Sequence, residues 1–278
     1  MRKIHLLPNL LTLGNSFCGL LAIAKGIDAL SFSQADPGAF YTKMESACWL
    51  LFIGMLFDAL DGKVARMVGG SSAFGAQLDS FSDMLTFGIA PAVLAKILIE
   101  HEGAALGYKV HLRLDFVAAA VFSLMAILRL ARFNLENEPD ESAHQYFKGL
   151  PSPGAAGAMG ATMLIYLALQ DPHADGFVGE LKQQFSALGE KQFLHGFMPA
   201  LAWMLPALGL LMVSRVRYVH TTSFLTGRGQ FVTLVAVVVG GICFYIEHVL
   251  ALFLVFNVYV LAGLILALRP RPQPGPQA

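Results

Sequence analysis

The chain has 278 residues, of which 56% are hydrophobic and 14% charged, with 19 basic and 19 acidic side chains. A soluble domain carries about 25% charged residues. This composition, with a mean hydropathy of +0.61, is that of an integral membrane protein. A net charge of zero excludes a strongly basic nucleic-acid binder and an acidic tail.

Stretches apolar enough to cross a bilayer, roughly 20 residues each, fall at 7–28, 46–67, 76–99, 114–133, 153–170, 197–214, 230–247 and 249–268. The first follows Arg2 and Lys3. It contains Pro8, Asn9 and Asn15 and shows no small-x-small cleavage pattern, so it reads as a retained span. The loop 171–197 is polar, but Val178, Leu181, Phe185 and Leu188 recur at helical spacing. That predicts a short helix lying on the membrane surface. Glu247 and His248 separate the last two spans, as a tight hairpin would.

With the N-terminus placed in the cytoplasm, 12 of the 19 Lys and Arg fall on that side and 7 on the other. This bias, with an even number of spans, predicts both termini inside. Cys18, Cys48 and Cys243 lie in apolar segments without CxxC spacing or paired histidines. They read as buried small side chains, with neither a disulfide frame nor zinc. The expected fold is an all-α polytopic membrane bundle of about eight helices. Residues 1–268 form one domain, and the proline-rich tail 269–278 is expected to be disordered.

Four carboxylates stand where the second span ends and the third begins, on the cytoplasmic side in this topology. Asp58 and Asp61 are three apart, Asp79 and Asp83 four apart, so each pair shares a helix face. Gly69, Gly70, Ser71 and Ser72 supply the turn, which predicts an antiparallel pair with facing carboxylates. Like charges in an apolar setting repel, and a divalent cation resolves the conflict. Several Asp oxygens suit Mg²⁺, Mn²⁺ or Ca²⁺ rather than zinc. Such ions commonly bind substrate phosphate as well. Gly62 and Ala65 are small on the carboxylate side of the second span, and Gly75 lies one turn before Asp79, leaving room for close approach. Arg66 is placed to clamp a phosphate with its planar fork. The same residues admit two other readings, an ion or proton relay and a structural network with Lys63 and Arg66.

The stretch DALDGKVARMVGGSSAFGAQLDSFSD resembles the signature of the CDP-alcohol phosphotransferase family, D-x-x-D-G-x-x-A-R, eight residues, then G-x-x-x-D-x-x-x-D. Asp58, Asp61, Gly62, Ala65, Arg66, Gly75, Asp79 and Asp83 occupy every fixed position. Four further stretches, LPNLLTLGNSFCGLLAI, RLARFN, YFKGLPSPGAAG and MVSRVRY, are similar to the bacterial and archaeal phosphatidylserine synthases of that family. The similarity covers roughly residues 4–220.

The resemblance implies a six-helix family core with two extra C-terminal helices. It implies transfer of the phosphatidyl group from CDP-diacylglycerol to the hydroxyl of L-serine, giving phosphatidylserine and CMP. Two Mg²⁺ or Mn²⁺ ions would be held by Asp58, Asp61 and Asp79, with Asp83 as a further ligand and as general base. Asp58, Gly62, Ala65, Arg66, Gly75 and Asn15 would bind the CDP moiety. A homodimer in the cell (inner) membrane, with its active site on the cytoplasmic side, is implied too.

The acceptor must be argued from elsewhere in the chain. Arg129, Arg132, Asn134 and Lys148 gather near the ends of the fourth and fifth spans, and an Arg fork suits a carboxylate. Arg132 with Asn134 is the favoured pair, and Lys148 is an alternative holder of donor phosphate. The positive-inside bias alone would also place these cations, as it would Arg215 and Arg217. Asn9, Thr12 and Asn15 form one stripe that meets the nucleotide, a metal-site carboxylate or another helix. His5 reads as an interface residue and His144 as a weak candidate. Three alternatives remain: a family member taking glycerol-3-phosphate, inositol phosphate or choline; a cation transporter; and a non-catalytic scaffold.

Overall fold

The structure, a computed structural model, describes residues 6–32, 36–68, 72–105, 112–136, 146–171, 176–219, 241 and 244–268. The helices are α1 (Leu6–Leu30), α2 (Pro37–Met67), α3 (Ala73–Asp83), α4 (Ala90–Ala105), α5 (Leu112–Glu136), α6 (Ser152–Gln170), α7 (Gly176–Val213) and α8 (His248–Leu268). A π-helical segment, Met84–Ile89, joins α3 to α4 without a break. The fold is an all-α, multi-pass membrane bundle.

Six helical segments among the described residues have the length and apolar composition to cross a membrane: α1, the α3–α4 rod, α5, α6, residues 196–213 of α7, and α8. The expected span 230–247 and the tail 269–278 lie outside the described residues. The expected span 46–67 is the latter part of the 31-residue α2. That helix is long enough, but its ionisable residues keep it out of the apolar set. It starts nine residues earlier than its hydropathy suggested, because Asp36 caps it by accepting from Ala39 N (3.1 Å) and Pro37 opens it.

Two expectations are corrected in the second half. The helix expected over Val178–Leu188 is not separate. It runs on into the sixth expected span as the continuous 38-residue α7. Also, within the expected all-α fold, the stretches YFK and RYV form a two-stranded antiparallel ribbon, β1 (Tyr146–Lys148) and β2 (Arg217–Val219), with Phe147 opposite Tyr218. Gly149 ends β1 at φ +86° and donates to Val216 O (2.7 Å). A Cβ there would stand 2.2 Å from Met212 O, so glycine is required for this turn.

Helix α6 is the central post, buried along nearly its whole length. Its sequence, SPGAAGAMGA, explains this: small side chains let neighbouring helices approach closely. The Phe256 ring of α8 occupies the space where a Gly157 Cβ would sit (2.2 Å). Outward-facing Leu10, Phe17, Leu124, Leu128, Trp203 and Leu261 are exposed, as lipid-facing positions require. Cys18 and Cys48 are free and buried. Cys243 lies outside the described residues.

At the bundle end remote from Asp58 and Asp61, Glu102 of α4 is 3% exposed. It accepts hydrogen bonds from Tyr41 of α2 (2.9 Å) and Tyr166 of α6 (2.6 Å), and His101 Nδ1 stands 3.1 Å away. This clasp satisfies a carboxylate that would otherwise be costly there and fixes three helices against one another.

Candidate active site

The motif residues reach one place through two helix ends. Asp58 and Asp61 face inward on the last turns of α2. Ser72 caps α3, accepting from Gly75 N (3.0 Å), and starts the helix so that Asp79 and Asp83 point back at them. Carboxylate oxygens of Asp58, Asp61 and Asp79 all lie within 4.8 Å of one another. Asp83 lines the same cavity as Asp61 and Asp79. Carboxylates gathered this closely repel unless a cation lies between them.

Helix α1 braces this group. The Thr12 hydroxyl donates to Asp61 Oδ2 (2.7 Å), and Asn15 Nδ2 donates to Asp83 Oδ1 (3.4 Å). In return, Ser82 Oγ donates to Thr12 O (3.0 Å) and Thr86 Oγ1 to Asn15 O (2.9 Å). Of the three readings open for the stripe Asn9, Thr12 and Asn15, contact with the carboxylates is therefore the one seen for Thr12 and Asn15. Asn9 lines the adjoining cavity.

That cavity has a volume of about 560 Å³, within the usual range for small-molecule sites. Asp61, Asp79 and Asp83 line it, as do Gly62, Ala65, Arg66 and Gly75. Asn134 closes one side, exchanging hydrogen bonds with Ser80 (3.0 Å). Ser80 and Phe133 were not singled out in the sequence. Ser80 lies between motif positions, and nothing local announces that α5 ends beside it.

The other expected acceptor residues separate. Arg129 does not line the cavity, and its Nη1 donates to Ser152 Oγ (3.0 Å). Arg132 turns away from the cavity lining and donates to Val213 O (3.4 Å). Lys148 is exposed on β1 and does not line the cavity. His5, His144, Gly69, Gly70 and Ser71 lie outside the described residues.

The donor set fits a hard divalent cation: converging oxygens, no nitrogen or sulfur, and a cavity able to bring phosphate oxygens to the same point. The alternative network with Lys63 and Arg66 is not formed. Among the described residues the ion pairs are Lys96–Glu100 and His101–Glu102, and no Lys or Arg is within salt-bridge distance of the four aspartates.

A family model for CDP-alcohol phosphatidyltransferases matches residues 5–206, well over half of the sequence. The chain belongs to the CDP-alcohol phosphatidyltransferase family. This member is 28% identical over 221 residues to the CDP-diacylglycerol–serine O-phosphatidyltransferase of Helicobacter pylori, covering 78% of this chain and 73% of that one. It is 33% identical over 152 residues to the Bacillus subtilis enzyme of the same name (55% of this chain, 72% of that one). It is 32% identical over 181 residues to the archaetidylserine synthase of Methanothermobacter thermautotrophicus (64% and 62%). The family is metal-dependent, as the aspartate cluster of this member leads one to expect.

Thr12 offers a direct check on that cluster. Thr12→Val keeps the shape but removes the donor that orients Asp61. Loss of such a support costs roughly 10–100-fold in metal affinity. The divalent-ion concentration for half-maximal CMP release should rise by about that factor; an unchanged titration would detach Thr12 from the metal site.

Proposed function

We propose that this chain transfers the phosphatidyl group of CDP-diacylglycerol to the hydroxyl of L-serine, yielding phosphatidylserine and CMP. The observation that carries the reading is the convergence of Asp58, Asp61 and Asp79, the last two lining a cavity of nucleotide size, in a chain whose relatives bear serine phosphatidyltransferase names. The site belongs to a single membrane domain over residues 1–268. It faces the cytoplasm, where serine is at hand, and the chain acts as a homodimer in the cell membrane.

Two Mg²⁺ or Mn²⁺ ions held by Asp58, Asp61, Asp79 and Asp83 would offset the negative charge that develops on the transferring phosphoryl group and on departing CMP. The chain's own residues do the rest. Gly62, Ala65 and Gly75 leave room for the nucleotide, with Asn15 holding Asp83 beside it. Arg66 binds phosphate oxygens. Asp83 accepts the proton of the serine hydroxyl. The serine oxygen then forms its bond to the phosphorus that carries diacylglycerol, and the bond from that phosphorus to the CMP oxygen breaks, its electron pair leaving with CMP. Arg129 pairs with the serine carboxylate beside the base, and Asn134 orients the acceptor at the cavity rim. Arg132 and Lys148 act farther out, drawing anionic substrates to the site.

An acceptor screen tests this. Purified chain is given CDP-diacylglycerol with L-serine, glycerol-3-phosphate, inositol phosphate or choline, and CMP is measured with and without chelator. L-serine should exceed every other acceptor by at least about tenfold, and chelator should silence all four. Faster release with another acceptor would reassign the substrate. Ion flux in vesicles without CMP release would make the chain a transporter.

A further inference from the structure

Helix α5 gives the cavity beside the aspartates a wall of a different kind. Leu130, Phe133 and Asn134 line it, three and four residues apart and so on one helix face. Two of these are apolar, which leaves the Asn134 amide as the polar group of that wall. Ser80 of α3 lines the same cavity and is bonded to it. Among the described residues the lining carries three carboxylates, Asp61, Asp79 and Asp83, and one cation, Arg66. A cleft with that balance draws positively charged groups.

Ser80 has a single hydroxyl proton and two acceptors in reach, Ala76 O at 3.1 Å and Asn134 Oδ1 at 3.3 Å. The proton goes to the nearer one, a turn back on α3. The Ser80 oxygen then accepts from Asn134 Nδ2, at 3.0 Å. This order of donation sets the way the amide faces: its NH2 turns to Ser80, and its Oδ1 keeps its lone pairs for another donor. An ammonium is such a donor, with three N–H groups and no acceptor of its own. In serine the amino nitrogen and the hydroxyl oxygen are carried on adjacent carbons. Whatever holds the one must stand close to the base that deprotonates the other. Ser80 and Asp83 are three apart on one face of α3, and both line the cavity. An amide oxygen carries no charge, so it adds nothing to the repulsion among the aspartates.

We propose that Ser80 is a positioning residue which holds the Asn134 amide with its oxygen toward the ammonium of the acceptor, so that the pair selects an acceptor bearing an amino group. The proposal rests on the preceding reading, in which serine is the acceptor and Asn134 orients it. Its substance is new: the group that is read is the amino nitrogen, and a hydroxyl from between the motif positions sets the reader.

The test uses the full chain in detergent, with Ser80→Ala, Ser80→Thr and Asn134→Ala. KM is measured for L-serine and for CDP-diacylglycerol, and kcat/KM is compared with that for 3-hydroxypropanoate, in which hydrogen replaces the amino group. Ser80→Ala should raise the serine KM about tenfold, the usual scale for a hydrogen bond to a charged group. The donor KM should stay within about twofold, and the preference for serine over 3-hydroxypropanoate should shrink by the same factor of about ten. Ser80→Thr keeps the hydroxyl and should keep that preference. Asn134→Ala should lower it as far as Ser80→Ala does, and the double variant should lower it no further, because the two side chains act as one unit. An intact preference in either alanine variant, equal rises for both substrates, a loss of kcat alone, or independent effects of the two substitutions would overturn the proposal. So would a Ser80→Thr chain that behaves like Ser80→Ala. Should Ser80→Ala fail to fold, Asn134→Ala decides by the same ratio. A wild-type chain inert toward L-serine would overturn the preceding reading and this one with it. An active wild type with unaffected variants would overturn this one alone.

Discussion

Asp83→Asn is expected to cut CMP release by about 10²–10⁴-fold, the range for loss of a general base, while the purified protein still binds CDP. The amide has the size of the carboxyl group and keeps an Oδ1 for Asn15 Nδ2, so the brace from α1 survives. What disappears is a proton acceptor and one negative charge at the cavity shared with Asp61 and Asp79. Removing that charge relieves repulsion. Thermal unfolding without divalent ions should therefore occur at the same temperature as in the wild type or higher. Activity above a tenth of the wild type would assign the base elsewhere. A marked fall in unfolding temperature would show that Asp83 is structural first.

Stripping divalent ions should silence the wild type. An ion bridging carboxylates and phosphate contributes several kcal/mol of charge stabilisation, which corresponds to roughly 10³-fold in rate. Mg²⁺ or Mn²⁺ should restore activity. Binding only to the folded chain, an ion at 100 times its Kd adds about 2.7 kcal/mol to stability, so the wild type should also unfold at a higher temperature with the ion. Asp79→Asn should lose that shift and need far more metal for any turnover. Asp61→Asn should behave likewise, because Asp61 is 5% exposed and already oriented by Thr12. Full activity in chelator, or a thermal shift that survives both substitutions, would leave the cluster without a metal.

The cluster was legible in the sequence because its information is local. Spacings of three and four residues fix which side chains share a helix face, and only a short stretch separates the two pairs. The register of the spans was legible for a similar reason, since bilayer thickness sets their length. The start of α2 was not, because Lys43 and Glu45 interrupt the hydropathy that a capped helix ignores. The ribbon of β1 and β2 joins residues some 70 positions apart, and three-residue strands carry no periodicity of their own. The positions of Arg129, Arg132 and Lys148 were read from one shared trait, positive charge near a span end. That trait cannot tell a guanidinium bonded to the Ser152 hydroxyl from one bonded to the Val213 carbonyl. Ser80 and Asn134 meet only because α5 ends beside α3, and the clasp on Glu102 draws on three helices.

The π-helical segment Met84–Ile89 has a consequence for engineering the enzyme by length rather than by side chain. A π turn accommodates one more residue than an α turn, and one residue advances the azimuth of everything beyond it by about 100°. Asp79 and Asp83 precede the segment, while Leu94, Ala95 and Leu98, fully buried in α4, follow it. Excising a single residue within 84–89 would leave the two halves out of phase. Either the core stripe would stay inside and the acidic pair would rotate toward the lipid, or the reverse. A one-codon deletion there should therefore be far more damaging than any conservative exchange at the same positions, and re-inserting alanine should rescue it.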